Sequence, residues 1–145
     1  MIRAVIDTNV VVSAMLSEEG PRGIILGLAT RGLIMPVVNR GILAEYRRVL
    51  RRPRFGFLPS QTTLLLDTIE GIGLETQDGA WPESLPDPDD DKFLVAAAAG
   101  DAPLITGNLR DFPESKRRHV RVLSPRQFLD AHADEIVTFP RSSST

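Results

Sequence analysis

The chain predicts a three-layer α/β/α domain on a mostly parallel central sheet of about five strands, and three observations carry that prediction. Short apolar runs rich in β-branched residues recur along it, the first at Ile2 to Ile6. Between them lie stretches whose apolar residues return every three or four positions, the helical period. Turn and cap residues separate the two kinds of segment, so strands and helices alternate, which favours parallel pairing.

Taken in order, Ile2 to Ile6 is broken only by Arg3 and reads as a buried strand. Residues 17–23 form a loop with Pro21 suited to a first helical turn, after which Ile24, Ile25, Leu28 and Ala29 recur at helical spacing until Gly32. Leu33 to Val38 is the second strand, interrupted by Pro36. Asn39 is placed to cap a helix whose stripe is Ile42, Leu43, Tyr46, Val49 and Leu50, and Pro53 stops it. Ser60 is the expected cap of the next helix, with Leu64, Leu65, Ile69 and Ile72 on one side. A short strand is expected at Leu74 to Thr76. Residues 77–88 are rich in proline, glycine and acid and read as a long loop from which Trp81 folds back onto the core. A helix is expected from Asp89 to Gly100, strands at Pro103 to Thr106 and Arg121 to Leu123, and a last helix from Pro125. The expected domain covers residues 1–136, and 137–145 reads as a flexible tail.

At 145 residues, 42% apolar and 25% charged, the chain suits one soluble domain with one core. The lack of cysteine excludes disulfides, thiolate nucleophiles and zinc–thiolate sites. No apolar run is long enough to span a bilayer and the N-terminus has no cleavable leader, so a cytoplasmic protein without membrane contact is expected. The net charge of −2 conceals dense arginine groups at residues 46–54 and 116–121, each readable as a solvated helix face or as a surface for phosphates or partners.

Three acidic islands stand out: Asp7 with Thr8 and Asn9, Glu45, and Asp87 to Asp91. In open parallel sheets ligands lie beyond the carboxyl ends of strands where strand order reverses, and Asp7 and Asn108 both fall just after a strand. Glu45 borders the apolar stripe of its helix. Asp91 shares a helical face with Leu94, Val95 and Ala98, which aims it at the core side. Each acid also has an ordinary reading: a turn residue for Asp7, an ion pair with Arg48 for Glu45, helix N-terminal acids for Asp89, Asp90 and Asp91. Carboxylates gathered from separate elements repel by roughly 4 kcal/mol per pair at ~4 Å and an effective dielectric near 20. Such a cluster therefore keeps a proton or holds a divalent cation. The cation is the reading preferred here, and with it phosphodiester hydrolysis.

The stretches Val5 to Ala14, Ile42 to Leu50, Asp87 to Ala97, Ile105 to Pro113 and Val122 to Leu129 together resemble PIN-domain ribonucleases, especially the VapC-like toxins of toxin–antitoxin pairs. The resemblance implies Asp7, Glu45 and Asp91 as catalytic acids holding Mg2+ or Mn2+, hard cations that suit oxygen ligands. Many relatives carry a fourth acid after the fourth strand. This chain has Asn108 there, with Asp111 three residues on, and both are candidates for weaker metal contact. Thr8, Asn9, Ser13 and Thr106 become supporting groups. Arg47, Arg48, Arg51 and Arg52 become contacts for RNA or a partner. The implied function is metal-dependent cleavage of single-stranded RNA, with a cognate antitoxin and a homodimer as expected partners. His119 and His132 read as solvent-facing. Two other readings remain open. One is a non-catalytic RNA- or protein-binding module. The other is an acid-dependent phosphomonoesterase, which Asn9 disfavours because that chemistry wants a second acid at its position.

Overall fold

The structure, a computed structural model, describes residues 2–140. Five parallel strands form one sheet: β1 (Ile2–Ile6), β2 (Ile34–Val38), β3 (Leu74–Glu75), β4 (Leu104–Ile105) and β5 (Val122–Leu123). Their spatial order is β3-β2-β1-β4-β5. The helices are α1 (Thr8–Leu16), α2 (Gly20–Thr30), α3 (Arg40–Leu50), α4 (Pro59–Ile72), α5 (Asp91–Ala99), α6 (Pro125–Ala131) and α7 (Ala133–Thr138). From β1 the chain steps one way to β2 and β3, then crosses back through α5 to β4. Right-handed crossovers in opposite directions place their helices on opposite faces, which yields the three layers. α5 packs across β1, β2 and β4, while α2 packs on β2 beside α1, α4 and α6.

β1 is central and fully paired. Ala4 and Val5 have no exposed surface and Ile6 almost none, as a strand covered on both faces requires. Pro36 is tolerated in β2 because β3 pairs only with Val37 and Val38, so Pro36 stands beside a missing neighbour. Gly100, which ends α5, lets that helix settle on the sheet. A Cβ there would lie 2.6 Å from Val37 Cγ1. Phe93 and Phe112 meet edge to face at 6.5 Å between centroids and are wholly buried, joining α5 to the segment after β4. Trp81 packs against the core and donates its indole N–H to the Lys116 carbonyl at 2.8 Å, so the acidic loop does return to the domain.

The structure departs from the sequence reading in several places. α1 was not expected, because Val10, Val11 and Val12 are poor helix formers. Burial of all three overrides their local preference. α4 begins at Pro59 rather than after a Ser60 cap, and the Gln61 side chain accepts the Leu58 N–H at 2.9 Å. α5 begins at Asp91, preceded by a 3-10 turn over Pro88–Asp90. α7 continues through Thr138, past the expected domain edge, and the Arg31 guanidinium donates to the Pro140 carbonyl at 2.9 Å. The remainder of the expected tail, 141–145, lies outside the described residues. His119 is exposed, but His132 is not solvent-facing: its ring lies 4.7 Å from that of Phe128 and it pairs with Glu135 at 2.9 Å. Among the described residues no helix is long and apolar enough to cross a membrane.

Candidate active site

Strand order reverses between β1 and β4, and the crevice beyond their carboxyl ends is where such sheets bind ligands. Asp7 follows β1 directly and Thr106 follows β4. Thr106 Oγ1 donates to Asp7 Oδ2 at 2.8 Å, and Asn9 Nδ2 donates to the same oxygen at 3.4 Å. By position Asp7 is the N-cap of α1, yet its side chain makes no cap hydrogen bond. The carboxylate is turned across the crevice instead, which leaves Oδ1 available. Burial pushes Asp7 up to about 6, the Thr106 bond opposes that rise, and Glu45 adds to it.

α3 brings Glu45 to the opposite wall. Asn39, fully buried, caps α3 by accepting the Ile42 N–H at 2.9 Å and donates to the Lys92 carbonyl at 3.1 Å. One side chain thus ties the start of α3 to the first turn of α5. The Tyr46 hydroxyl donates to the Ile6 carbonyl, fixing α3 against the residue that precedes Asp7. Burial raises the phenol well above its usual range, with Asp7 and then Glu45 adding to the shift. Glu45 itself accepts from the Thr8 hydroxyl through Oε2 and pairs with Lys92 Nζ at 2.8 Å through Oε1. Arg48, the pairing partner expected from sequence, lies farther off at 3.8 Å. Burial works against the charged form of Lys92, but the hydrogen bond and charge of Glu45, helped by Asp89, carry its pKa upward.

Of the acids at the start of α5, Asp90 rather than Asp91 lines the crevice. Asp7, Glu45, Asp87, Asp89, Asp90 and Asp111 line one cavity of about 480 Å3, and Asp91 is not among its walls. Burial and then the charges of Asp7, Asp111, Asp87 and Glu45 push Asp90 up to about 7. Asp91 is also raised, by burial and then Asp87 against the pull of Lys92, with no contribution from Asp7 or Glu45. Its Oδ1 is enclosed without a hydrogen-bond partner. Asp90 repeats the arrangement of Asp7, since it too occupies an N-cap position, here of α5, and makes no cap hydrogen bond. Asp87 does perform that task, accepting the Asp89 N–H at 2.9 Å. The signal for Asp90 lay in the buried stripe Phe93, Leu94 and Ala97. Counting back one helical turn from Phe93 and Leu94 reaches residue 90.

Thr8, Asn9 and Ser13 line the cavity, as does Asp111. Asn9 Oδ1 also accepts the Gly107 N–H at 3.1 Å, which gives this residue a bracing role between the two strand ends. Asn108 does not line the cavity. Its N–H is held by Thr106 Oγ1 at 3.0 Å and it lines a neighbouring cavity, so of the two weaker candidates only Asp111 lies at the acidic one. Of the expected arginines, Arg48 and Arg52 reach the rim, joined by Arg54. Arg47 pairs instead with Glu70 on α4 at 3.2 Å, and Arg51 points elsewhere. Another cavity of about 490 Å3, between α1, α2 and α4, is walled mainly by residues such as Met15, Leu26 and Leu65 and carries no comparable chemistry.

An oxygen-only set of clustered carboxylates suits a hard divalent cation in donor type and charge. Oδ1 of Asp7 and the carboxylates of Asp90 and Asp111 make no hydrogen bond among the described residues. The same acids are not pre-assembled: among the described residues no three converge closely enough to form a ready-made cation cage. Lys92 supplies the counter-charge at Glu45. The donor set thus suits such a cation in chemistry, while its present spacing does not form a cage among the described residues.

Comparison with known proteins bears on the family and the fold. The chain is 28% identical over 140 residues to the uncharacterised protein MJ1680 of Methanocaldococcus jannaschii, covering 89% of this chain and 90% of that protein. Its fold is similar to that of a chain in the crystal structure of VapBC2 from Rickettsia felis bound to a DNA fragment from their promoter. The TM-score is 0.59 at 17% identity, covering 86% of this chain and 98% of the other. The PIN domain profile matches residues 3–110, the span that holds every acid of the cavity except Asp111, and by that match the chain belongs to the PIN domain family.

Proposed function

We propose that the protein is a Mg2+- or Mn2+-dependent endoribonuclease that hydrolyses phosphodiester bonds of single-stranded RNA, and that it is the toxin of a toxin–antitoxin pair. Membership of the PIN domain family, generally one of nucleases, supports the hydrolytic class. The likeness in fold to a chain of a VapBC2 complex supports an antitoxin as partner. The observation that carries the chemistry is that Asp7, Glu45, Asp90 and Asp111 line one cavity at the crevice beyond β1, with Asp7 and Asp90 pushed up by burial and by neighbouring negative charge.

Asp7, Asp90 and Asp111 would hold the cation, with Glu45 joining as Lys92 gives way. When bound, the cation lowers the pKa of its water and offsets charge on the phosphate. The remaining work falls to the chain itself. Thr106 and Asn9 fix Asp7 so that one oxygen faces the crevice. Asp90 orients the attacking water and takes its proton as the new bond to phosphorus forms and the bond to the leaving oxygen breaks. Arg48, Arg52 and Arg54 on the rim neutralise the incoming phosphate backbone, which the acids alone would repel. Exposed Leu58 and Leu64, near and on α4, support burial against an antitoxin or a second copy.

The test is cleavage of single-stranded RNA that requires Mg2+ or Mn2+ and stops with EDTA. The Lys92–Glu45 pair and the lack of a pre-formed cage favour one second reading, a PIN domain that binds RNA without cutting it. RNA that is bound but stays intact in Mn2+ would establish that reading instead.

A further inference from the structure

On the far side of the turn after β4 lies a second cavity of about 420 Å3, whose walls include Arg22, Arg110, Arg126, Thr106, Gly107 and Asn108. Among the described residues no carboxylate lines it. Among the described residues none of its three arginines makes an ion pair or a side-chain hydrogen bond, whereas Arg47, Arg48 and Arg118 all have acidic partners. Arg22 is the telling member. Its Nε is enclosed by the protein and has no hydrogen-bond partner. A buried guanidinium N–H without an acceptor costs free energy unless a ligand completes it. The side chain lies against Gly107, where a Cβ would come 2.7 Å from Nη2 and 3.4 Å from Nε. A side chain at 107 would push the guanidinium out of this position.

This cavity shares a wall with the acidic one. The Gly107 N–H is bound by Asn9, which lines the acidic cavity, and Thr106 bonds to Asp7 on one side and to the Asn108 N–H on the other. We propose that the arginine cavity is a phosphate subsite for single-stranded RNA, taking a backbone phosphodiester that flanks the one held at the acids. The proposal rests on the ribonuclease reading for the identity of the strand. Arginine suits the task because its planar fork presents paired donors to phosphate oxygens. Three such forks with no competing carboxylate among the described residues have the charge and donors for a phosphodiester.

The experiment measures binding of a labelled single-stranded RNA by fluorescence anisotropy in EDTA across a salt series, so that cleavage does not enter. Each phosphate contact contributes about 0.7 to the slope of log affinity against log salt for single strands, or about fivefold in affinity near 0.1 M salt relative to 1 M. Arg22→Met with Arg126→Met is expected to weaken binding by about 25-fold and to flatten the slope by about 1.4. Gly107→Ala is expected to reproduce the Arg22 share by displacing that guanidinium, while Arg40→Met, at the exposed start of α3, serves as the charge control. Should the double variant fail to fold, Arg110→Met, at an exposed position, carries the same slope test. Unchanged affinity and slope in a folded variant overturn the subsite. Arginine-dependent binding of polyglutamate without arginine-dependent RNA binding overturns it in favour of an acidic peptide. Arginine-dependent RNA binding by a protein that never cuts RNA upholds the subsite and removes the nuclease reading. Cleavage with an unaltered slope does the reverse.

Discussion

The two cavities flanking the turn at Thr106, Gly107 and Asn108 are of similar size and share a wall, yet their charges are opposite. One holds six carboxylates, with arginines only toward its rim, and the other holds three arginines and no acid. In the acidic cavity several groups are already engaged: Asp7 by Thr106, Glu45 by Lys92 and Thr8, Asp89 by Lys92. In the basic cavity the arginines have no partner among the described residues. The difference teaches that the acidic side is braced by the fold itself, whereas the basic side is completed from outside. A segregation of this kind suits a polyanion whose reacting phosphate must be neutralised by a cation while its neighbours are met by guanidinium groups.

The largest expected effect breaks the acidic side alone. Asp7→Asn keeps the size of the side chain and its contact with Thr106, yet RNA cleavage should fall by about 10²–10⁴-fold, the span for losing a group that manages charge and protons at a reacting centre. Metal-free RNA binding should be retained or strengthened, because a negative charge has been removed. Equal loss of cleavage and of binding would show that the two cavities are not separable.

Next in size is a change to the brace. Asn39 is buried, caps α3 and holds the Lys92 carbonyl. Asn39→Ala leaves both partners unsatisfied and should cost about 1–3 kcal/mol of stability, read as a lower denaturant midpoint with an unchanged m-value. An unaltered midpoint would mean that α3 and α5 are positioned by packing alone.

A smaller shift is expected at Lys92. Its ammonium is 2.8 Å from the Glu45 carboxylate and therefore competes with any cation for that oxygen. Lys92→Met should tighten Mn2+ binding by calorimetry, a change of a few-fold given a partly buried pair of this kind. Weaker Mn2+ binding would identify the lysine as a support for the site rather than a rival.

A last effect concerns pH. Asp7 and Asp90 are raised from 3.8 to about 6 and about 7 in the folded state. Between the unfolded and folded values the native protein binds more protons than the unfolded chain, so stability falls as pH rises through this window. The metal-free protein should melt at a higher temperature near pH 5 than near pH 8. Mg2+ or Mn2+ should reduce or reverse that slope, because the cation requires the deprotonated acids. A melting temperature that rises with pH in EDTA would contradict the crowding of these carboxylates.

Much of this was legible in the sequence, and the failures have physical causes. Strand identity, parallel pairing and the placement of Asp7 at a strand end followed from apolar runs and their punctuation, because a strand buried on both faces leaves little choice of residue. The Asn39 cap and the Glu45 position followed from the stripe of α3. α1 was hidden because three consecutive valines look like strand, and only the surrounding core makes them helical. The helical face chosen from sequence ends at Asp91, whereas Asp90 lines the cavity. Extending the face of Leu94, Val95 and Ala98 backwards leads to Asp91, but Val95 and Ala98 are only partly buried, and the fully buried stripe through Phe93, Leu94 and Ala97 leads to Asp90. The arginine cavity had no signature at all. Arg22, Arg110 and Arg126 are isolated in the chain and meet only through the topology.

The most direct measurement of the central claim compares Asp90→Asn with Asp91→Asn in Mn2+-dependent cleavage of single-stranded RNA. The account predicts that Asp90→Asn abolishes cleavage to the level seen in EDTA, while Asp91→Asn keeps most of the wild-type rate. Cleavage that survives in Asp90→Asn, or that is lost only in Asp91→Asn, would contradict it.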